Sequence, residues 1–168
     1  VALLTTIRYA YLAPFMLVLI FFAAFQATRD WPDLIAHFKE QAIRMASTVD
    51  EVRSRAEIPA AVARYLASLD LPLIGIAWPE FSDLDWKSAS VAMEFRPVSG
   101  EDKLGITGCY CAIAETGTLL LTSSPTTPNA TSLLPDTHIA IIKTSRIVVG
   151  MEEAWNLLRA ELKQPPRA

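Results

Sequence analysis

Short apolar runs alternate with amphipathic stretches along this chain, and that alternation narrows its fold more than any other feature. Leu73-Ile-Gly-Ile-Ala-Trp78 has strand length and is closed on both sides by Pro72 and Pro79. The segment before it, Glu57 to Leu69, carries apolar residues at Ile58, Val62, Tyr65, Leu66 and Leu69, the spacing of one helix face. A first helix is predicted from Trp31-Pro32-Asp33 to about Ser47. Asp30 is its N-cap, and Leu34, Ile35, Phe38, Ala42, Met45 and Ala46 form its apolar stripe. Thr48-Val-Asp-Glu-Val52 reads as a short strand with Val49 and Val52 inward. Helix, strand, helix and strand in this order point to an α/β fold, a mostly parallel sheet with flanking helices.

The second half continues the pattern. Lys103 to Ala114 has strand character with glycine breaks, and Thr118-Leu-Leu-Leu-Thr122 is another apolar strand. Ser123 to Asp136 contains three prolines and no periodicity, so a loop is predicted there. His138-Ile-Ala-Ile-Ile-Lys143 reads as a buried strand, and Ile147-Val-Val149 as an extension of the sheet. Met151 to Lys163 is an amphipathic helix with Ala154, Trp155, Leu157 and Leu158 inward. Residues 82–90 read as loop with a short helical turn.

The sequence divides into an apolar segment, 1–28, and a domain of ordinary composition, 29–168. No charged residue stands between Arg8 and Arg29. An uncharged run of this length approaches the roughly 20 residues of a membrane-spanning helix. Three readings stay open for it: a membrane anchor, a signal peptide, and a non-native upstream extension. The first would tether the protein to a membrane; otherwise a cytoplasmic location is expected. The formal net charge of −3 leaves no basic footprint for nucleic acid. The two cysteines, Cys109 and Cys111, are one residue apart, too close for an ordinary disulfide framework. Two half-buried thiols in a reducing compartment are expected. Neither a metal site nor a cofactor is expected in this chain.

Glu115 stands out chemically. It lies between an apolar stretch ending at Ala114 and the strand that starts near Thr118, with Thr116-Gly117-Thr118 directly after it. Glycine at that place permits a sharp turn or close approach to a ligand. The threonines offer hydroxyls and backbone N–H groups for an anion. A carboxylate desolvated at the edge of an apolar sheet would suit general acid/base or nucleophilic work. The competing role is structural, with Glu115 bonding backbone N–H groups of its own turn. His138 is the second, weaker candidate for acid/base chemistry, set against a purely local hydrogen bond. Ser123 and Ser124 leave a strand end, where α/β sheets build ligand crevices, and join Thr116, Gly117 and Thr118 as candidate binding residues. No phosphate-binding Walker loop, dinucleotide fingerprint or nucleophile elbow is present.

The run Gly105-Ile-Thr-Gly-Cys-Tyr-Cys-Ala-Ile-Ala-Glu-Thr-Gly-Thr-Leu-Leu-Leu-Thr-Ser-Ser-Pro125 resembles the signature of the lactate-utilisation (LUD) domain family, of the LutC type. Ser132-Leu-Leu-Pro-Asp-Thr-His-Ile-Ala-Ile-Ile142, Ser145-Arg146-Ile147 and Glu152-Glu153-Ala154 continue the likeness, which spans about residues 31–163. The resemblance implies a fold similar to the sugar-isomerase/CoA-transferase group. It also implies a role in oxidation of L-lactate to pyruvate as a subunit or accessory protein, with iron–sulfur clusters carried by partner proteins. The family assigns this subunit no catalytic residue. Glu115-Thr116-Gly117 is similar to the Glu-x-Gly nucleophile of CoA transferases, so an enzyme acting on a small carboxylate or thioester is one alternative. A ligand-binding or assembly module without catalysis is the other. LUD domains usually continue into a Ser-Arg-Thr-Ala-Asp-Ile-Glu block, and the sequence to Ala168 does not contain it.

Overall fold

A computed structural model describes residues 33–162 and the backbone of residues 2–8. The uncharged run Tyr9–Thr28, with the membrane and signal-peptide readings attached to it, lies outside the described residues, as does Asp30. In chain order the strands and helices are β1 (Ala2–Arg8), α1 (Leu34–Arg44), β2 (Thr48–Val52), α2 (Ile58–Ser68), β3 (Ile74–Ala77), β4 (Ala92–Glu94), β5 (Leu104–Gly108), β6 (Cys111–Ile113), β7 (Thr118–Leu120), α3 (Ala130–Leu133), β8 (Thr137–Lys143), β9 (Ile147–Val148) and α4 (Met151–Glu161). Three short 3-10 turns, at Arg55–Glu57, Pro79–Phe81 and Thr144–Arg146, lead into or out of these elements.

Six strands form the main sheet in the order β2-β1-β8-β5-β3-β4. The β8, β5, β3 and β4 strands run parallel to one another, as the alternation predicts. Residues 2–8, inside the segment read from sequence as a separate apolar start, pair antiparallel with both β2 and β8.

The central strands carry apolar residues on both faces because both faces are covered. Every residue of β5 is buried, and β8 is buried from Thr137 to Ile142. Side chains alternate along β8. Ile139 and Ile141 pack with Leu104 and Ile106 against Ile58, Ala61, Val62 and Leu66 of α2. Ile142 points the other way, into a cluster with Phe38 and Ala42 of α1, Ala112, Ala114 and Ile147. Burying each of the large aliphatic side chains on α2 contributes about 1.5–3 kcal/mol. Leu66→Ala would leave a cavity costing about 2–5 kcal/mol.

Four sequence expectations need correcting. Asp33 caps α1: its Oδ1 accepts from the backbone N–H of Ile35 at 3.1 Å and of Ala36 at 3.0 Å. The helix therefore runs from Leu34 to Arg44, and Met45 and Ala46 of the predicted stripe lie exposed beyond its end. The predicted loop 123–136 contains α3, which lies over the main sheet. A Cβ on Gly105 would collide with the Thr131 carbonyl, so the bare glycine lets this turn sit down on β5. Ile147-Val148 does not extend the main sheet. It pairs parallel with β6, and β7-β6-β9 form a second, three-stranded sheet. Finally, Trp155 of α4 is exposed, whereas Ala154 and Leu158 are buried. The short sheet under α4 offers only a narrow strip to cover, so one edge of the predicted apolar face stays outside.

Candidate functional site

The parallel strands β3, β5 and β8 end along one edge of the main sheet, and a cleft of about 630 Å³ opens there. Ligand crevices in α/β sheets lie at this edge because successive strands deliver their following turns to it. Trp78, Glu80 and Phe81 follow β3. Gly108, Cys109 and Tyr110 close β5. Lys143, Thr144, Ser145 and Arg146 end β8. Arg55 and Ile58 enter from the start of α2, and Thr122 and Thr127 from the loop after β7.

The cleft is rich in cations that are held in place. The Arg55 guanidinium donates to Asp83 Oδ1 at 2.7 Å and to the Glu80 carbonyl, and stands 5.4 Å from the Phe81 ring centre. Arg146 makes a two-pronged pair with Glu161 at 2.7 and 2.8 Å and lies 5.0 Å from the centre of the Tyr110 ring. The Tyr110 hydroxyl donates to the same Glu161 carboxylate at 2.8 Å. Each bond pulls its carboxylate down: Asp83 is lowered by Arg55, and Glu161 by Arg146 and then Tyr110.

Glu80 behaves differently. Partial burial of the carboxyl raises its pKa above the usual 4.5, and the nearby charges of Arg55 and Lys143 only partly oppose this. Its Oε1 occupies the space that a Cβ on Gly108 would fill. Glu80 is exposed as a residue, and its partly buried carboxyl is laid against the end of β5 where it lines the cleft.

The residues singled out from sequence fall elsewhere. Glu115 sits on the β6–β7 hairpin, as expected for a strand-to-strand turn, but it is exposed, and its backbone N–H donates to the Val149 carbonyl at 3.0 Å. Thr116 donates its hydroxyl to that of Thr118 at 2.8 Å. Gly117 adopts φ +68, and a Cβ there would run into the α1 backbone at Gln41 and Ala42. Its glycine serves both the left-handed turn and the close approach of helix and hairpin. Ser124 accepts from the Thr126 and Thr127 backbone N–H groups and holds a tight turn; its neighbours Thr122 and Thr127 reach the cleft.

His138 is buried on the opposite face of the sheet from the cleft. Its Nε2 lies 2.8 Å from Thr107 Oγ1, and burial pushes its pKa down to about 4, so the ring is neutral at pH 7. Both cysteines are free thiols. Burial pushes the Cys109 thiol up to about 12, and its Sγ donates to the Cys111 carbonyl at 2.9 Å. Among the described residues no group of three or more His, Cys, Asp or Glu side chains is arranged to hold a metal ion, and no helix is long and apolar enough to cross a membrane.

The sequence reading passed over Arg55, Glu80, Tyr110 and Lys143. A signal existed. Pro79-Glu80 follows one predicted strand and Lys143 ends another, where a parallel sheet puts its ligand contacts. Arg55 offered none, since only the packing of α2 against β3 brings it there.

The family model of the LUD domain matches residues 35–167. The lactate utilization protein C of Bacillus subtilis is 34% identical over 86 residues, 51% of this chain and 36% of that protein. The lactate utilization protein C of Deinococcus radiodurans is 26% identical over 136 residues, 79% of this chain and 63% of that protein. The chain therefore matches about a third to two-thirds of these relatives' lengths. The crystal structure of a DUF162 family protein from Deinococcus radiodurans superposes with a TM-score of 0.63 at 23% identity, covering 80% of this chain and 83% of that one.

Proposed function

This chain belongs to the LUD domain family, and we propose that it serves lactate utilisation by binding a small carboxylate in the cleft at the ends of β3, β5 and β8. The names of the Bacillus and Deinococcus relatives support the pathway. The single observation that carries the ligand class is the convergence of Arg55, Lys143 and Arg146 on one cleft. Guanidinium and ammonium groups recognise carboxylates by charge-assisted hydrogen bonds. The walls between them, Ile58, Trp78, Phe81 and Ile141, are apolar and would cover the carbon skeleton of an organic acid. Oxidation of L-lactate to pyruvate releases two electrons and two protons. In this reading the chain holds the acid, and iron–sulfur partner proteins take the electrons. The cleft has room beyond a three-carbon acid, and a partner's reacting group would reach the ligand through that opening.

Growth on L-lactate as sole carbon source tests the reading. Deleting the gene in its own organism should abolish that growth. The intact gene should restore it, and Lys143→Ala should not. Unimpaired growth of the deletion strain would overturn the pathway assignment.

A further inference from the structure

Resting on that carboxylate-binding reading, we propose that Glu80 is the proton-exchanging group of the cleft and couples ligand binding to uptake of one proton. The geometry is specific. Glu80 follows β3 on the Pro79–Phe81 turn, and its Oε1 lies where any side chain on Gly108 would stand. The carboxyl therefore faces the same space as the cations that would bind an acid. From α2's leading turn it meets Arg55, whose guanidinium is already engaged by Asp83 and by the Glu80 carbonyl. From the end of β8 it meets Lys143, whose charge acts on it directly. Cys109 and Tyr110 of the β5 end and Arg146 beyond β8 complete the lining around it.

The coupling follows from charge. Without a ligand, Lys143 and Arg55 restrain the rise in pKa that partial burial imposes on Glu80. A bound carboxylate takes up the Lys143 charge and adds a like charge of its own near Glu80. Both changes favour the neutral acid. The balance is simple. A ligand anion and one solvent proton enter, the Glu80 carboxylate becomes a carboxylic acid, and its O–H donates to the ligand. No bond of the ligand breaks and no electron moves. Because the complex holds more protons than its separated components, affinity falls as pH rises from above 4.5, by at most about tenfold per unit for one proton.

Titration calorimetry with pyruvate tests this on the full chain. Runs at pH 6 in two buffers of different ionisation enthalpy give the protons taken up per pyruvate bound. The wild type should take up a measurable fraction of one proton and bind more weakly at pH 8 than at pH 6. Glu80→Gln should bind with no uptake and with affinity level across that range. Gly108→Ala, which displaces the carboxyl without removing it, should also lose the uptake. Wild-type binding with the same proton count as Glu80→Gln would overturn the role of Glu80 and leave the carboxylate cleft standing. No pyruvate binding by the wild type between pH 5 and 8 would overturn both.

Discussion

The carboxyl of Glu80 lies in the space left by the missing side chain of Gly108, with Oε1 at the place of a Cβ. A residue after one strand is thus seated on the last residue of its neighbour in the sheet. Gly108→Ala should fold, because the obstructing atom is the far end of a flexible side chain and Gly108 has no positive φ. We expect a loss of about 1 kcal/mol or less, read as a shift in the urea midpoint with unchanged slope. A loss above about 3 kcal/mol would show that Glu80 has nowhere to move.

The buried His138 makes stability depend on pH. Its folded pKa is lowered from 6.5 to about 4, so between those values the unfolded chain binds more protons than the folded one. Its contribution is intact above pH 6.5 and is lost as pH falls toward 4, about 3 kcal/mol in all. Urea unfolding of the wild type and of His138→Asn at pH 7.5 and 4.5 isolates this contribution from that of the carboxylates. The variant should lose less stability on acidification than the wild type does; equal losses would remove His138 from the account.

Glu115→Gln separates the exposed hairpin from the cleft. Its side chain lies outside the cleft lining, so pyruvate affinity should stay within about twofold of wild type by calorimetry. Loss of growth on L-lactate with pyruvate binding retained would assign a separate chemical or partner-binding task to Glu115.

Glu161 holds Arg146 in a two-pronged pair and competes with any incoming anion for it. Glu161→Gln should tighten pyruvate binding by roughly two- to fivefold, the worth of an exposed ion pair. Weaker binding would mean that the pair orients Arg146 and that this orientation matters more than its free charge.

Sequence alone carried the α/β class, the elements α1, β2, α2, β3, β8 and α4, the Glu115 hairpin and the family likeness. These rest on local signals, namely apolar period, breaker residues and colinear motif. The corrections arose where a distant element intervened. Gly105 makes room for α3 within a stretch whose prolines read as loop. The pairing of Ile147-Val148 with β6 founded a second sheet where local pattern suggested an extension of the first. The cleft itself joins Arg55, Glu80, Tyr110, Lys143 and Arg146, which come from separate stretches of chain. Glu115 drew notice because its neighbours in sequence are distinctive, yet the fold leaves it outside the cleft lining. Glu80 has plain neighbours in sequence, and only the pairing of β3 with β5 lays its carboxyl against Gly108. Close neighbours and nearby charge set what a carboxyl can do, and both are properties of the packed sheet.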